Sequence, residues 1–385
     1  MTSPTILQIL PAMISGGVER GTVDMAAHIV AMGGRAIVIS SGGIMSHDIE
    51  RVGGKHITLP VDSKNPLQIL RNAGKIADIL REQKVDIIHA RSRAPAWSAW
   101  HAAQKTGVPL VTSFHGAYGM QNKFKRWYNG VMIRGARVIA VSNFIREYIL
   151  GYYPISAERI DVVQRGIDLQ KFDAARVHRD RVIKLATEWA IPDDKPIVML
   201  PGRISHWKGQ RELLLALSEL PHRNFYCLFV GSDHGHESYR AEIEKLVGKL
   251  ELNGLVKWVG ECRDMPAAYM LADVVVSASQ QPEAFGRVAI EAQAMGRPLV
   301  ATNHGGSAET IIDKQTGFLC PPGNIGALGR TVNKLLGFNA QARETLGAAA
   351  IKHVRANFGV EKMCAGEFAT YEKVLAQTVV AAKAA

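Results

Sequence analysis

Apolar positions along this 385-residue chain follow two alternating patterns. Short unbroken runs rich in Val, Ile and Leu are separated by longer stretches that read as helices. In the first half the runs are "TILQILP", "RAIVISS", "VDIIHAR", "PLVTSFH", "RVIAVS" and "IDVVQRG". In the second they are "KPIVMLPGR", "NFYCLFVGS", "LVKWVGE", "DVVVSAS", "RPLVATN" and "TGFLCPP". A strand buried on both faces needs no polar alternation, so such runs between helices indicate parallel sheets covered on both sides. The chain is too long for one ordinary core. The expected fold is therefore α/β, with two Rossmann-like domains facing a cleft and joined near "QRGIDLQKFD" (164–173). The domains are read as 1–168 and 169–360. The stretch "VEKMCAGEFATYEKVLAQTVVAAKA" forms one or two terminal helices, and 361–385 is expected to return to the N-terminal domain.

Ligands of such sheets sit beyond the carboxyl ends of the strands, which singles out a few loops. After the first strand, Gly16 and Gly17 open a helix whose inner face reads as Val18, Met25, Ile29 and Met32. Paired glycines allow a close backbone approach to a ligand, or simply a tight strand-to-helix turn. The dinucleotide fingerprint is broken, because Val18 stands where its second glycine belongs. In "LPGRISHWKG", Arg203 and Lys208 follow a strand end, where a planar fork and a point charge can converge on phosphate. In "SQQPEAFGRVAIEAQAMGRPLVATNHGGSAET" (279–310), Gly286 leaves a helix start open to an anion, and the helix is expected over about 287–295. Glu283 lies on the preceding loop. Glu291 lies near the second turn with its side chain leaning back, so both carboxylates can line one pocket and accept bonds from vicinal hydroxyls. Singly, Glu283 would merely favour the helix dipole and Glu291 would be exposed.

Composition adds little until charge is mapped. The net charge of +11 is concentrated in residues 1–180, with 23 Lys/Arg against 14 Asp/Glu; between Ile87 and Arg146 there are nine basic residues and no acidic one. Such a block suggests an anionic partner. Within "YGMQNKFKRWYNGVMIRGAR" (118–137), Lys123, Lys125, Arg126 and Arg134 interleave with Phe124, Trp127, Tyr128, Val131, Met132 and Ile133. This is the pattern of a helix lying on an anionic bilayer, or of an amphipathic helix packed on its own sheet. Arg91 and Arg93, in "HARSRAPAW", are candidates for a phosphorylated or carboxylated substrate, or plain surface arginines. Four scattered cysteines give neither a zinc spacing nor a disulfide framework. No run is long enough to span a bilayer, and the start reads as a strand and not as a signal peptide. A cytoplasmic protein, peripheral on the inner face of the plasma membrane, is expected.

The segment "EAFGRVAIEAQAMGRPLVAT" resembles the nucleotide-sugar signature of the retaining GT-B glycosyltransferases of family 4, as do "GGVERG", "FHG" (114–116), "GRISHWKG", "NHGGSAE" and "TGFLCPPGN". The resemblance implies that Glu291 holds the ribose and that Glu283, Phe285 and Gly286 hold the donor sugar. Arg203 and Lys208 would neutralise the diphosphate, and Gly16 and Gly17 would approach the donor phosphates or the acceptor. His115, otherwise read as either a structural or a substrate-contacting histidine, would reach the transferred sugar. His115, Arg203, Lys208 and Glu283 are thus the catalytic candidates. No cofactor and no metal are expected, since the chain has no D-x-D and the cations can stabilise the leaving diphosphate. The implied activity is hexosyl transfer from a UDP- or GDP-sugar to a lipid-linked or envelope glycan, of lipopolysaccharide-core type. One departure stands at the linker, where Arg165 and Gly166 replace the usual "NG". A nucleotide-sugar epimerase of the same fold and a basic nucleic-acid binder are the alternatives. The latter lacks any nucleic-acid-binding signature.

Overall fold

The computed structural model describes residues 3–14, 16–120 and 122–384, with side chains up to 378. The chain forms two compact units, Met1–Gln164 with Val360–Ala385, and Arg165–Gly359.

The first unit contains strands β1 (Thr5–Ile9), β2 (Arg35–Ser40), β3 (Lys55–Thr58), β4 (Ile87–Ala90), β5 (Leu110–Phe114), β6 (Arg137–Ala140) and β7 (Ile160–Val162). They make one sheet in the order β3-β2-β1-β4-β5-β6-β7, and every pairing is parallel. The second unit contains β8 (Ile197–Pro201), β9 (Tyr226–Val230), β10 (Val256–Trp258), β11 (Val274–Ser277), β12 (Leu299–Thr302) and β13 (Phe318–Cys320). These are also all parallel, in the order β10-β9-β8-β11-β12-β13. In each sheet the strand order reverses once, between β1 and β4 and between β8 and β11. A crevice opens beyond the strand ends at such a reversal.

The central strands are buried on both faces, which is why their sequences read as unbroken apolar runs. β3 was not among them. Its sequence, Lys-His-Ile-Thr, lies at the sheet edge and is only half buried, so it carries no apolar run. In the first core, Ile6, Val38, Ile87, Val111 and Ile139 of the sheet pack with Met25 and Ile29 of helix Gly17–Ala31. Met32, expected on that inner face, lies past the helix end and is exposed, because the turn at Gly33 swings the chain toward β2.

One helix, Val360–Ala384, closes the first unit. It is fastened by polar groups as well as by Phe368 and Tyr371. Glu367 accepts from the Arg91 guanidinium, at 3.3 Å through Nη1 and more closely through Nη2, while Arg91 Nε donates to Gln8 Oε1 at 2.7 Å. His89 bonds Tyr371 Oη through Nδ1 and Ser113 Oγ through Nε2, both at 2.6 Å. Burial, with the neighbouring Arg91 charge, holds the His89 imidazole well below its ordinary range. Lys373 reaches Asp161 of β7 at 2.7 Å. The division between the units falls at 164/165 and 359/360, where sequence reading drew 168/169 and 360/361.

Candidate functional site

The reversal between β8 and β11 brings two loops of the second unit together. After β8 the chain runs through Arg203, exposed, and a short 3-10 turn, His206–Lys208, into helix Gln210–Ser218. After β11 it runs through Ser279 and Glu283 into helix Arg287–Ala294. Lys208 Nζ donates to Glu283 Oε1 at 2.7 Å, and the hydroxyl of Ser279 donates to the same oxygen. Lys208 also lies over the Trp207 ring, 4.3 Å from its centre.

The main chain of the Glu283 loop is fixed by the segment "HGGS". Gly306 N–H donates to Glu283 O at 2.7 Å, and a Cβ on Gly306 would lie 2.3 Å from Ala284 O. Only glycine permits that approach. Gly286, the N-cap of the Arg287 helix, has φ 92° and a side chain there would also run into Ser307. The two sequence pieces "EAFG" and "NHGGSAE" are therefore halves of one tightly packed turn, with Phe285 buried beneath it.

Glu291 is buried and not exposed. Its Oε2 accepts from Tyr269 Oη at 2.9 Å and its Oε1 from Arg287 Nη2 at 2.7 Å. Burial first, then the Glu291 charge, raise the Tyr269 phenol well above its ordinary value, so it stays a donor. Tyr269, Arg287 and Ser279 were not singled out from the sequence. The i,i+4 spacing of Arg287 and Glu291 was the one available signal.

In the first unit, Gly16 and Gly17 open helix Gly17–Ala31 just past β1, and His115 is partly exposed directly after β5. Arg91 does not belong with them. It is 1% exposed and its guanidinium is taken up by Glu367 and Gln8, so it serves the fold and not a substrate. Arg93 is partly exposed, stacks 4.2 Å from the Tyr118 ring centre and donates to Asn129 Oδ1 at 3.0 Å.

The basic stretch is not one helix. It is a short helix, Lys123–Asn129, followed by a 3-10 turn, Gly130–Ile133. Val131 and Met132 turn into the core, whereas Phe124 is 70% and Trp127 56% exposed beside exposed Lys123, Lys125 and Arg126. Trp127 stacks on Trp97 at 4.8 Å, and the Arg134 guanidinium lies 4.3 Å from the Trp100 ring centre. Helix Arg93–Thr106 thus backs this face with the buried Trp97 and adds the partly exposed Trp100, beyond what the local sequence indicated. Among the described residues, no helix is long and apolar enough to cross a membrane, and no three His, Cys, Asp or Glu side chains group as a metal site.

Two parallel-sheet units with this loop pair at a sheet reversal define a GT-B glycosyltransferase architecture. Family models agree: Glycosyltransferase Family 4 matches residues 15–171 and Glycosyl transferases group 1 matches 183–353. A glycosyltransferase from Rickettsia africae has a solved structure that superposes with a TM-score of 0.89 at 38% identity, covering 97% of this chain and 99% of that one. A D-inositol 3-phosphate glycosyltransferase of Salinispora arenicola is 28% identical over 76% of this chain and 69% of its own length. HepE of Anabaena, solved with UDP and glucose, shares the fold with a TM-score of 0.84 at 24% identity, over 95% and 99% of the two chains. This chain belongs to the GT-B glycosyltransferases of family 4, and it is a glycosyltransferase. These matches do not favour the epimerase or nucleic-acid-binding alternatives.

Proposed function

We propose that the enzyme takes a hexose from a UDP- or GDP-linked donor and transfers it, with retention and without a metal, to a lipid-linked or envelope glycan such as a lipopolysaccharide core. The observation that carries the donor half is the pairing of Lys208 with Glu283 across the β8/β11 reversal, with Glu291 buried on the helix that follows. Glu291 takes the ribose hydroxyls; Glu283, Phe285 and Gly286 take the sugar. In the transfer, the bond from the anomeric carbon to the diphosphate oxygen breaks. The acceptor hydroxyl bonds the same face of that carbon, and its proton passes to the leaving phosphate oxygen. Arg203, Lys208 and the N–H groups of the Arg287 helix stabilise the charge that builds on the diphosphate. His115 is proposed to touch the transferred sugar, and Gly16 and Gly17 to approach the donor phosphates or the acceptor. HepE's solved complex with UDP and glucose supports a nucleotide sugar as donor.

For the acceptor, Arg93 is proposed to meet a phosphorylated or carboxylated group; one relative is named for a phosphorylated polyol. Lys123, Lys125 and Arg126, with Phe124 and Trp127, are proposed to dock the first unit on an anionic membrane at its cytoplasmic face, cations to headgroups and rings at the interface.

Melting curves with UDP, GDP, ADP and their sugars test the donor, since a ligand of the native state alone raises the melting point. A rise with UDP or GDP and their sugars is expected, and no rise with any of them defeats the reading. Transfer is expected to survive EDTA. Activity lost to EDTA and restored by a divalent ion would overturn metal independence.

A further inference from the structure

The ion pair at the donor site sets the two halves of a nucleotide sugar in competition. Lys208 and Glu283 have side chains only 15% and 10% exposed, so their attraction is weakly screened. Glu283 cannot easily swing away. Its main chain is clamped by Gly306, and its carboxylate is also held by Ser279. Ser279 is fixed in turn, because its carbonyl accepts from Thr302 Oγ1 at 2.9 Å and lies 2.7 Å from His304 Nε2. Lys208 is held by its bond to Glu283 and lies 4.3 Å from the centre of the Trp207 ring.

A diphosphate arriving alone must draw on a cation already neutralised, and it meets the fixed carboxylate as a like charge. A diphosphate carrying a sugar brings hydroxyl donors to that carboxylate, which spread its charge and release Lys208 to the phosphate. We infer that the Lys208–Glu283 pair is a discriminator: it lowers affinity for the bare nucleoside diphosphate relative to the intact nucleotide sugar, and so speeds product release after transfer. The inference rests on the donor-site reading above, and adds that Glu283 opposes binding of the nucleotide it helps to use. Each group's charge is needed for the effect, and the near-isosteric amide removes it.

Calorimetry on the full chain tests this with UDP and GDP and with their glucose conjugates, for wild type, Glu283→Gln, Glu283→Ala and Lys208→Ala. Both Glu283 variants are expected to bind the bare diphosphate at least about tenfold more tightly than wild type, as loss of one like charge at short range in a half-buried site implies. The preference for the sugar conjugate should shrink by at least that factor, while Lys208→Ala weakens both ligands. In assays of transfer, Glu283→Gln should be slower and more sensitive to inhibition by the free diphosphate. Two variants guard against loss of fold in one. If both Glu283 variants bind the bare diphosphate no more tightly than wild type while Lys208→Ala binds it more weakly, the discriminator is wrong and the donor site stands. If wild type binds none of the four ligands, both fall together.

Discussion

Glu291 illustrates how a single buried carboxylate is made useful. It lies on the inner side of its helix and is tolerated there because Tyr269 and Arg287 each donate a hydrogen bond to it. Those two donors also set the direction of the carboxylate, as the proposed contact with a ribose diol would require. Glu291→Ala should keep the fold and weaken nucleotide binding, each lost charged hydrogen bond being worth roughly 1.5–3 kcal/mol. Tyr269→Phe leaves the carboxylate one donor short and should cost less, in the same direction. Titration calorimetry with the preferred nucleotide measures both; unchanged affinity in Glu291→Ala would remove the residue from the site. Glu283 and Glu291 stood out in the sequence because a carboxylate beside a packed helix needs a reason. Arg91 misled for a related cause. Its partner Glu367 lies 276 positions away, and no local pattern reveals a pairing over that separation.

Among the elements, strands that carry an apolar run were readable, the edge strands β7, β10 and β13 included, and the polar edge strand β3 was not. β8 to β13 all stood out as apolar runs, whereas β3 did not. The basic stretch shows a second limit. Alternating cations and rings look alike whether they form one helix or a helix broken at Gly130, and only packing decided that Val131 and Met132 turn inward. What remains outside is smaller and more polar-flanked than an amphipathic helix over the whole stretch. A membrane role for it carries a specific expectation. Replacing Lys123, Lys125 and Arg126 by Gln should cost about 3 kcal/mol of affinity for anionic vesicles, at about 1 kcal/mol per cation near such a surface. The loss should be greater at low salt than at high salt, with nucleotide binding unchanged. Equal flotation of wild type and variant would assign the stretch to internal packing.

At the scale of the molecule, acid sensitivity should track the buried cluster under the terminal helix. His89 faces Tyr371, Ser113 and Arg91, with Glu367 3.9 Å away, and its folded pKa is depressed. The unfolded chain therefore binds a proton below the usual imidazole value of 6.5 that the folded protein refuses. Stability from this group is present above that value and is lost as pH falls, by up to about 1.4 kcal/mol per unit. His56, His101 and His353 are lowered chiefly by burial as well and add to the slope. Denaturant melts of wild type and His89→Gln at pH 7.5 and 5.5 should show a larger acid loss in wild type. An identical loss in both would place the slope elsewhere. The two-sheet α/β class was legible because strand periodicity is local, and the loops that bear chemistry followed from it. The fastening beneath the terminal helix was not, since it joins residues from opposite ends of the chain.

That fastening has a consequence for biogenesis. The second unit is an insertion within the first, which resumes only at Val360. A ribosome releases β1 to β7 long before it supplies Glu367, Tyr371 and Lys373. Until then the nascent sheet carries Arg91 without its counter-ion, and the groups that the terminal helix covers stay open to solvent. The first unit to emerge is thus the last to finish folding, and the inserted unit has every residue it needs earlier. A nascent chain halted before Val360 is a natural client for a chaperone, with the apolar bed of the absent helix as the surface it would hold.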